Sequence, residues 1–203
     1  MDATATVESY ARLARQLLER PSGRSRLIAV DGPGGAGKSL FAQRLATALA
    51  DAPIVQTDDF ATGEPGSEWW PRLQSQVLDP LVAGRAARYR RYDWDERALA
   101  EWHVVPPAPA VIIEGVSSAR QAVADILELA VWVHAPRATR LARGLARDGE
   151  AARADWDRWM AEEDEHFRRD RTIDRCDFLV DGAPETLHDP LHEFVRLRSC
   201  AHE

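Results

Sequence analysis

The chain has 203 residues, of which 45% are hydrophobic and 29% charged, and its formal net charge at pH 7 is −7. This indicates one globular domain with a full core, without a general electrostatic attraction to nucleic acids or membranes. Cys176 and Cys200 form no disulfide framework, no stretch approaches the ~18 apolar residues of a membrane span, and Met1 to Arg20 contains no apolar signal segment. We therefore expect a cytoplasmic protein without membrane or nucleic-acid partners.

The predicted elements alternate between helices and short apolar strands. Apolar residues from Val7 to Leu18 share one helical face, which predicts an N-terminal helix within 1–22. Further helices are predicted at 40–50, 68–82, after residue 115, at 136–148 and through 156–167, and buried strands at 27–30, 53–57, 111–113, 129–133 and 178–180. This alternation is typical of an α/β fold, here a three-layer sandwich with a five-stranded parallel sheet and helices on both faces, within a single domain over 1–203.

The segment after the first predicted strand, residues 32–39, reads Gly-Pro-Gly-Gly-Ala-Gly-Lys-Ser and fits the phosphate-loop (P-loop) pattern G-x-x-x-x-G-K-[ST]. A flexible surface turn is the alternative, but the strand before the loop and the helix after it favour a phosphate site. Lys38, the only lysine of the chain, is expected to reach the β- and γ-phosphates of ATP, and Ser39 to ligate Mg²⁺. The predicted nucleotide-binding residues are Gly32, Gly34, Gly35, Ala36, Gly37, Lys38, Ser39, Leu40 and Arg143.

Other P-loop classes fit the sequence less well. The guanine motif of GTPases, N/T-K-x-D, requires a second lysine, which the chain does not have. Motor and transporter ATPases usually end the apolar Walker B strand on aspartate, whereas the candidate strand here ends on Glu114, and no LSGGQ-like signature is present. These differences favour a phosphotransferase.

An ordered set of motifs resembles the uridine kinase family, which belongs to a wider group with phosphoribulokinase and bacterial pantothenate kinase. Besides the P-loop, the motifs are Thr57-Asp58-Asp59-Phe60, Tyr92-Asp93-Trp94, Ile113-Glu114-Gly115 and Arg140-Leu141-x-Arg143-x-x-x-Arg147-Asp148. The resemblance runs over residues 27–181. It implies an ATP- and Mg²⁺-dependent kinase that phosphorylates a hydroxyl group of a small molecule, with a small helical lid near 147–155.

The resemblance also implies roles for single residues. Asp58 matches the catalytic aspartate beside the acceptor hydroxyl and Mg²⁺, and Glu114 matches the acidic residue near Mg²⁺. Arg147 matches the lid arginine that neutralises the transferring phosphate, and Tyr92 matches a tyrosine of the substrate pocket. Asp59 is the alternative to Asp58, because strand alternation lets only one of the two side chains face the phosphates.

The sequence departs from this family at the substrate pocket. Residues 62–70 lack the acidic, histidine-containing stretch that grips ribose, and Arg97 stands near the position of a usual histidine. Uridine specificity is therefore not implied, and the acceptor is a nucleoside or another polyol-like metabolite. A nucleoside-monophosphate kinase and a regulatory NTPase without a small acceptor are the alternatives. The sequence does not decide whether the protein forms a homo-oligomer. Arg140 and Arg143 are interpreted either as ligands or as solvated helix charge.

Overall fold

The computed structural model describes residues 5–19, 22–62 and 69–197. The strands are β1 (Thr6–Ser9), β2 (Arg26–Asp31), β3 (Ile54–Gln56), β4 (Ala87–Asp93), β5 (Ala98–Val105), β6 (Ala110–Glu114), β7 (Leu127–His134), β8 (Phe178–Asp181) and β9 (Glu193–Leu197). The α-helices are α1 (Tyr10–Leu18), α2 (Lys38–Ala48), α3 (Trp70–Leu73), α4 (Asp79–Val82), α5 (Arg137–Asp148) and α6 (Arg153–Asp170). Within the described ranges, no helix is long and apolar enough to cross a membrane.

The central sheet has seven strands in the order β1-β9-β8-β7-β2-β6-β3. The five predicted strands correspond to β2, β3, β6, β7 and β8, which pair in parallel, so the predicted fold class is confirmed. The predicted strand number of five was too low, because β9 and β1 extend one edge of the sheet by antiparallel pairing. Both added strands are short and carry charged residues, so they lack the apolar runs that mark the buried strands.

The helix predicted within 1–22 is present as α1, but it is shorter than the apolar pattern from Val7 to Leu18, because a strand precedes it in the described residues. β1 comes first, and α1 begins only at Tyr10, where the Ser9 Oγ accepts a hydrogen bond from the Arg12 N–H at 3.4 Å. Tyr10 then joins an aromatic cluster with Phe41 of α2 and Phe194 of β9, with ring centroids 5.1–5.4 Å apart. The cluster holds α1 and α2 on one face of the sheet, and thereby fixes the helix that follows the P-loop.

A helical segment covers the other face of the sheet. α3 and α4 are joined by the π-helical turn Gln74–Leu78 into one stretch, which agrees with the helix predicted at 68–82 over its described part. Its apolar side chains pack with Phe60, Val111 and Tyr89 in a second core cluster. Trp69 and Trp70 are partly buried and pack against this cluster.

Strands β4 and β5 form a separate antiparallel hairpin that the sequence analysis did not predict. β4 contacts the 3₁₀ turn Thr57–Asp59 at the end of β3, so the hairpin overhangs that end of the parallel sheet. The helix predicted after Gly115 is replaced by a turn and the 3₁₀ segment Gln121–Ile126. The reason is that the Asp31 carboxylate accepts the backbone N–H groups of Ser117 and Ala119, which holds this segment in a turn.

Candidate functional site

The predicted P-loop curls between β2 and α2, with the side chain of Lys38 folded back over it. Lys38 is 9% exposed, and its Nζ donates a hydrogen bond to the Pro33 carbonyl oxygen at 3.2 Å. Gly32 adopts a φ of +136°, and a Cβ atom there would lie 2.2 Å from the Val133 carbonyl oxygen, so the close approach of β7 requires glycine. This geometry is that of a backbone cradle for phosphate at a helix N-terminus.

A buried carboxylate lies beneath the loop. Asp31 is fully buried and accepts backbone N–H groups of Gly32 at 2.7 Å, Ala119 at 2.8 Å and Ser117 at 3.1 Å. Burial raises the pKa of Asp31 to about 6, against the lowering effect of these hydrogen bonds and of Lys38. Asp31 therefore ties the start of the P-loop to the segment after β6. Sequence analysis missed this role, although an aspartate at the end of an apolar strand was a visible signal.

Oxygen ligands meet where α2 begins and β6 ends. The Ser39 Oγ donates to the Glu114 Oε1 at 3.3 Å, and Glu114 is 5% exposed. Burial raises the pKa of Glu114, Lys38 opposes this effect, and Asp58 and Asp59 add to it, so all these charges act on one another. A hydroxyl group with neighbouring carboxylates is a donor set that suits Mg²⁺, which also keeps water and phosphate ligands. Among the described residues, no group of three or more His, Cys, Asp or Glu side chains forms a metal cluster by itself.

The two aspartates after β3 face different surroundings. Asp59 is half-buried, its Oδ2 accepts the Tyr89 hydroxyl at 2.7 Å, and burial raises its pKa. Asp58 is exposed. The pKa of Arg147 is raised mainly by its hydrogen bond to Asp148, and the charge of Asp58 raises it further. Asp58 thus acts electrostatically on Arg147, whereas Asp59 is hydrogen-bonded to the β4–β5 hairpin.

A cleft of about 260 Å³ lies between the P-loop helix and the hairpin. Its walls come from α2, β3, the following turn, the hairpin and β6, with the residues Ser39, Ala42, Gln43, Ile54, Gln56, Asp59, Tyr89, Arg91, His103 and Glu114. The His103 ring stacks on the Tyr89 ring with centroids 5.2 Å apart and an angle of 15°. Arg91 is already held by Glu101 at 2.8 Å and Asp93 at 2.9 Å. The cleft therefore offers mostly hydrogen-bonding groups beside the phosphate loop.

A second cavity, of about 460 Å³, lies on the other side of the P-loop. It is lined by Gly37, Leu40 and Arg143, which the sequence analysis assigned to nucleotide binding, and by the loop after β8. Arg143 crosses this region, donating to the Gly35 carbonyl at 3.1 Å and to the Gly182 carbonyl at 2.9 Å. Arg143 therefore joins the P-loop to the wall of this cavity.

Comparisons with known sequences give partial matches. An RNA helicase family model matches residues 28–78. Two curated proteins of Arabidopsis thaliana match over 151 residues and 68% of this chain: "Inorganic pyrophosphatase TTM2" at 27% identity, and "Inorganic pyrophosphatase TTM1" at 26%. The matches cover 22% and 24% of those proteins, so the chain spans less than a quarter of the curated relatives that it matches.

Among the solved structures that are similar to this chain are three whose titles name kinases. A "Possible Uridine Kinase" from Bacillus stearothermophilus has a TM-score of 0.61 and 18% identity, over 84% of this chain and 96% of that one. A "putative fructose transport system kinase" from Silicibacter sp. TM1040 has a TM-score of 0.60 and 21% identity, over 83% and 95%. Shikimate kinase from Acinetobacter baumannii has a TM-score of 0.50 and 13% identity, over 88% and 90%.

The chain has the P-loop kinase fold. Identities of 13–21% show the fold alone, and they agree with the kinase-type fold that the ordered motifs predicted.

Within this P-loop kinase fold, three predicted substrate residues, Asp58, Tyr92 and Arg97, do not line the cleft. Tyr92 is buried and packs edge-on against Trp94, with ring centroids 5.6 Å apart. Arg97 lies in the turn of the hairpin with a φ of +49°. The hairpin instead presents Tyr89 and His103 to the cleft. Residues 63–68 of the altered pocket segment lie outside the described residues, as does Cys200.

The arginines of α5 that the sequence motif singled out also differ from one another. Arg140 is 6% exposed, which excludes the interpretation of solvated charge for this residue. Arg147 is bound by both carboxylate oxygens of Asp148, at 2.7 and 2.9 Å, and lies 5.6 Å from the Trp156 ring. It stands at the end of α5, where the predicted lid begins and the 3₁₀ turn Glu150–Ala152 leads into α6.

Proposed function

We propose that the chain is an ATP-dependent kinase that transfers the γ-phosphoryl group to a hydroxyl group of a small polar molecule. The observation that carries this proposal is the cleft beside the P-loop, where Ser39, Glu114 and Asp59 share a cavity with Tyr89 and His103. A protein that only binds or hydrolyses a nucleotide has no need of such a cavity. The plant relatives are named for pyrophosphate hydrolysis, but the match covers less than a quarter of each of them.

The two cavities would give the substrates separate places on either side of the P-loop. The triphosphate would lie along residues 32–39 with its base in the cavity lined by Leu40 and Arg143, and the acceptor would lie in the cleft. Ser39, Asp58 and Glu114 would hold Mg²⁺, which supplies charge neutralisation for the phosphates. Lys38 would neutralise charge on the group that is transferred.

Asp58 is our candidate for the general base. Its charge acts on both Glu114 and Arg147, the residues expected on either side of the transferring phosphoryl group. As the acceptor oxygen bonds to the γ-phosphorus, its proton passes to Asp58 and the bond to the β–γ bridging oxygen breaks, which releases ADP. Asp59, held by Tyr89, would orient the acceptor.

The cleft favours a neutral polyol over a phosphorylated acceptor. Gln43, Gln56, His103 and Tyr89 can exchange hydrogen bonds with hydroxyl groups. Arg91 is the arginine of this cleft, and its guanidinium group is already paired with Glu101 and Asp93. A nucleoside-monophosphate kinase needs arginines available for the acceptor phosphate, so this pairing counts against that alternative.

An acceptor screen tests the proposal. Purified protein with Mg²⁺ and ATP is incubated with nucleosides, sugars, other polyols and nucleoside monophosphates, and ADP release and product phosphorylation are both measured. We expect at least one neutral polyol to raise ADP release tenfold or more and to carry the phosphate, and uridine and cytidine to stay well below a kcat/KM of ~10⁴ M⁻¹s⁻¹. ADP release that no acceptor changes would favour a regulatory NTPase, and acceptance of monophosphates alone would favour the monophosphate kinase.

A further inference from the structure

A glutamate side chain from α6 lies in the P-loop. Both carboxylate oxygens of Glu163 are 3.0 Å from the Gly34 backbone nitrogen and accept its N–H. The side chain is 17% exposed, and Lys38 and Arg140 both act electrostatically on its carboxylate. A backbone N–H of the P-loop together with the loop lysine is the environment that such a loop offers to a phosphate oxygen.

Arg140 beside this carboxylate is incompletely satisfied. Its Nη1 lies 3.8 Å from the Glu163 Oε2, which is ion-pair distance but too long for a hydrogen bond. Its Nε and Nη1 atoms are buried and have no hydrogen-bond partner among the described residues. Burial lowers the pKa of Arg140 and raises the pKa of Glu163, so the loss of solvent outweighs the attraction between the two groups. Buried N–H groups without a hydrogen-bond partner can still bind an acceptor that comes within reach.

We propose that Glu163 occupies the place of a nucleotide phosphate in the P-loop and competes with ATP and ADP for it. The proposal rests on the proposed function in that it takes the P-loop as a nucleotide phosphate site. A carboxylate in the cradle repels an incoming polyphosphate, so the nucleotide binds only when the Glu163 side chain swings out. The loop is then closed by its own carboxylate when no nucleotide is bound.

The helix α6 is anchored on both sides of Glu163. We therefore expect only the Glu163 side chain to leave the P-loop, while the helix keeps its position. One turn further along α6, His166 Nε2 is 2.7 Å from the Ser117 Oγ, and Phe167 packs edge-on against Trp132 at 4.6 Å. At the other end of α6, the Trp156 Nε1 donates to Asp148 at 2.9 Å. These contacts keep Glu163 within reach of Arg140, so after displacement its carboxylate can close the ion pair with the unsatisfied guanidinium group.

The test is the affinity of Glu163→Gln for MgATP, ADP and inorganic pyrophosphate, measured by calorimetry. Glutamine keeps the shape and the acceptor for the Gly34 N–H but removes the charge, so we expect the Kd of each phosphate compound to fall on the order of tenfold. Adenosine, which has no phosphate, should bind equally to both proteins. Glu162→Gln is the matched control, because Glu162 is the neighbouring residue, 68% exposed, and its binding should equal that of the wild type.

A second variant covers the case in which Glu163→Gln fails to fold, as judged by circular dichroism and thermal unfolding. Glu163→Asp keeps the charge near Arg140 but shortens the side chain, and we expect a smaller gain in affinity for the same three compounds. Equal or weaker binding of phosphate compounds by the folded variants would overturn the proposal, because it would mean that Glu163 holds the loop ready for nucleotide. If neither the wild type nor the folded variants bind ATP, the proposed function is contradicted. In that case a gain in pyrophosphate binding by the variants would still support the proposal, and its absence would overturn it.

Discussion

The P-loop and the cleft that we propose for the acceptor share Ser39, but they are assembled in different ways. The P-loop is eight consecutive residues that run from the end of β2 into the first turn of α2, whereas the cleft takes its walls from five separate parts of the chain. Phosphate has the same shape in every nucleotide, so a contiguous backbone cradle suffices for it. The acceptor differs from one kinase to the next. Substitutions in the hairpin can change the walls of the cleft without disturbing the P-loop. The contrast predicts that variants of the loop abolish transfer, while variants of the hairpin change the preferred acceptor.

The largest effect is expected for Lys38→Ala. Losing the charge that neutralises the transferring group should lower kcat by ~10²–10³-fold in the acceptor-dependent assay. The fold should be kept, because the side chain contacts the loop and not the core clusters, and circular dichroism checks this. Arg137→Ala, which removes a cation from an exposed ion pair on α5, is the control and should stay active. Turnover near the wild-type value would refute the nucleotide site.

The next effect separates the two aspartates at the border between loop and cleft. Asp58→Asn should lower kcat by ~10²-fold or more with little change in ATP affinity, because the amide keeps the shape but cannot take the proton. Asp59→Asn should act mainly on the KM of the acceptor, since Asp59 bonds to Tyr89 of the hairpin. Steady-state kinetics on both variants decides the assignment. If Asp59→Asn is inactive while Asp58→Asn turns over normally, Asp59 is the base.

A smaller effect tests the hairpin itself. Tyr89→Phe removes the hydroxyl group that binds Asp59 and should raise the KM of the acceptor by about tenfold, with the KM of ATP unchanged. Tyr92→Phe is the matched control, since Tyr92 packs against Trp94 and does not line the cleft. The opposite pattern, with Tyr92 controlling the acceptor, would restore the assignment made from the family resemblance.

A separate effect, on stability and not on turnover, concerns Asp31 and the dependence of stability on pH. Its native pKa of about 6 lies above the ordinary 3.8, so the native state binds the additional proton. Protonation of Asp31 therefore stabilises the native state fully below pH 3.8, and this stabilisation is lost as the pH rises through 6. Its full size is about 3 kcal/mol. Urea unfolding should show that the stability of the wild type relative to Asp31→Asn increases from pH 7.5 to pH 4.5. Parallel pH profiles of the two proteins would contradict this.

The same contrast explains what the sequence could predict. Strands β2, β3, β6, β7 and β8 and the P-loop were predicted because each is a local signal, either an apolar run or a contiguous motif. Tyr89 and His103 were missed because β4 and β5 carry alternating polar residues and their position over the cleft depends on long-range packing. The resemblance led to Tyr92, which is three residues away and packs elsewhere.

Glu163 and Arg140 show the same limit for charged residues. Both lie in helices rich in charge, and nothing in their immediate sequence separates Arg140 from its exposed neighbours. Only the packing of α5 against the P-loop, where Gly35 approaches the Arg140 backbone, makes this arginine buried. A helical pattern can indicate which residues share a face, but it cannot say which face another element will cover.

The antiparallel edge of the sheet has a mechanical consequence. In the β1–β9 ladder, Thr6 lies opposite Arg196 and Ser9 lies opposite Glu193, so both strands lead outward from the same end of the ladder. A force that pulls the two ends of the chain apart is then borne by one pair of residues at a time, beginning at Thr6 and Arg196, because the hydrogen bonds lie along the direction of pulling. The force would next act on the contact between Tyr10 and Phe194. Tension would therefore separate α1 from α2 while the parallel strands that carry the P-loop remain paired.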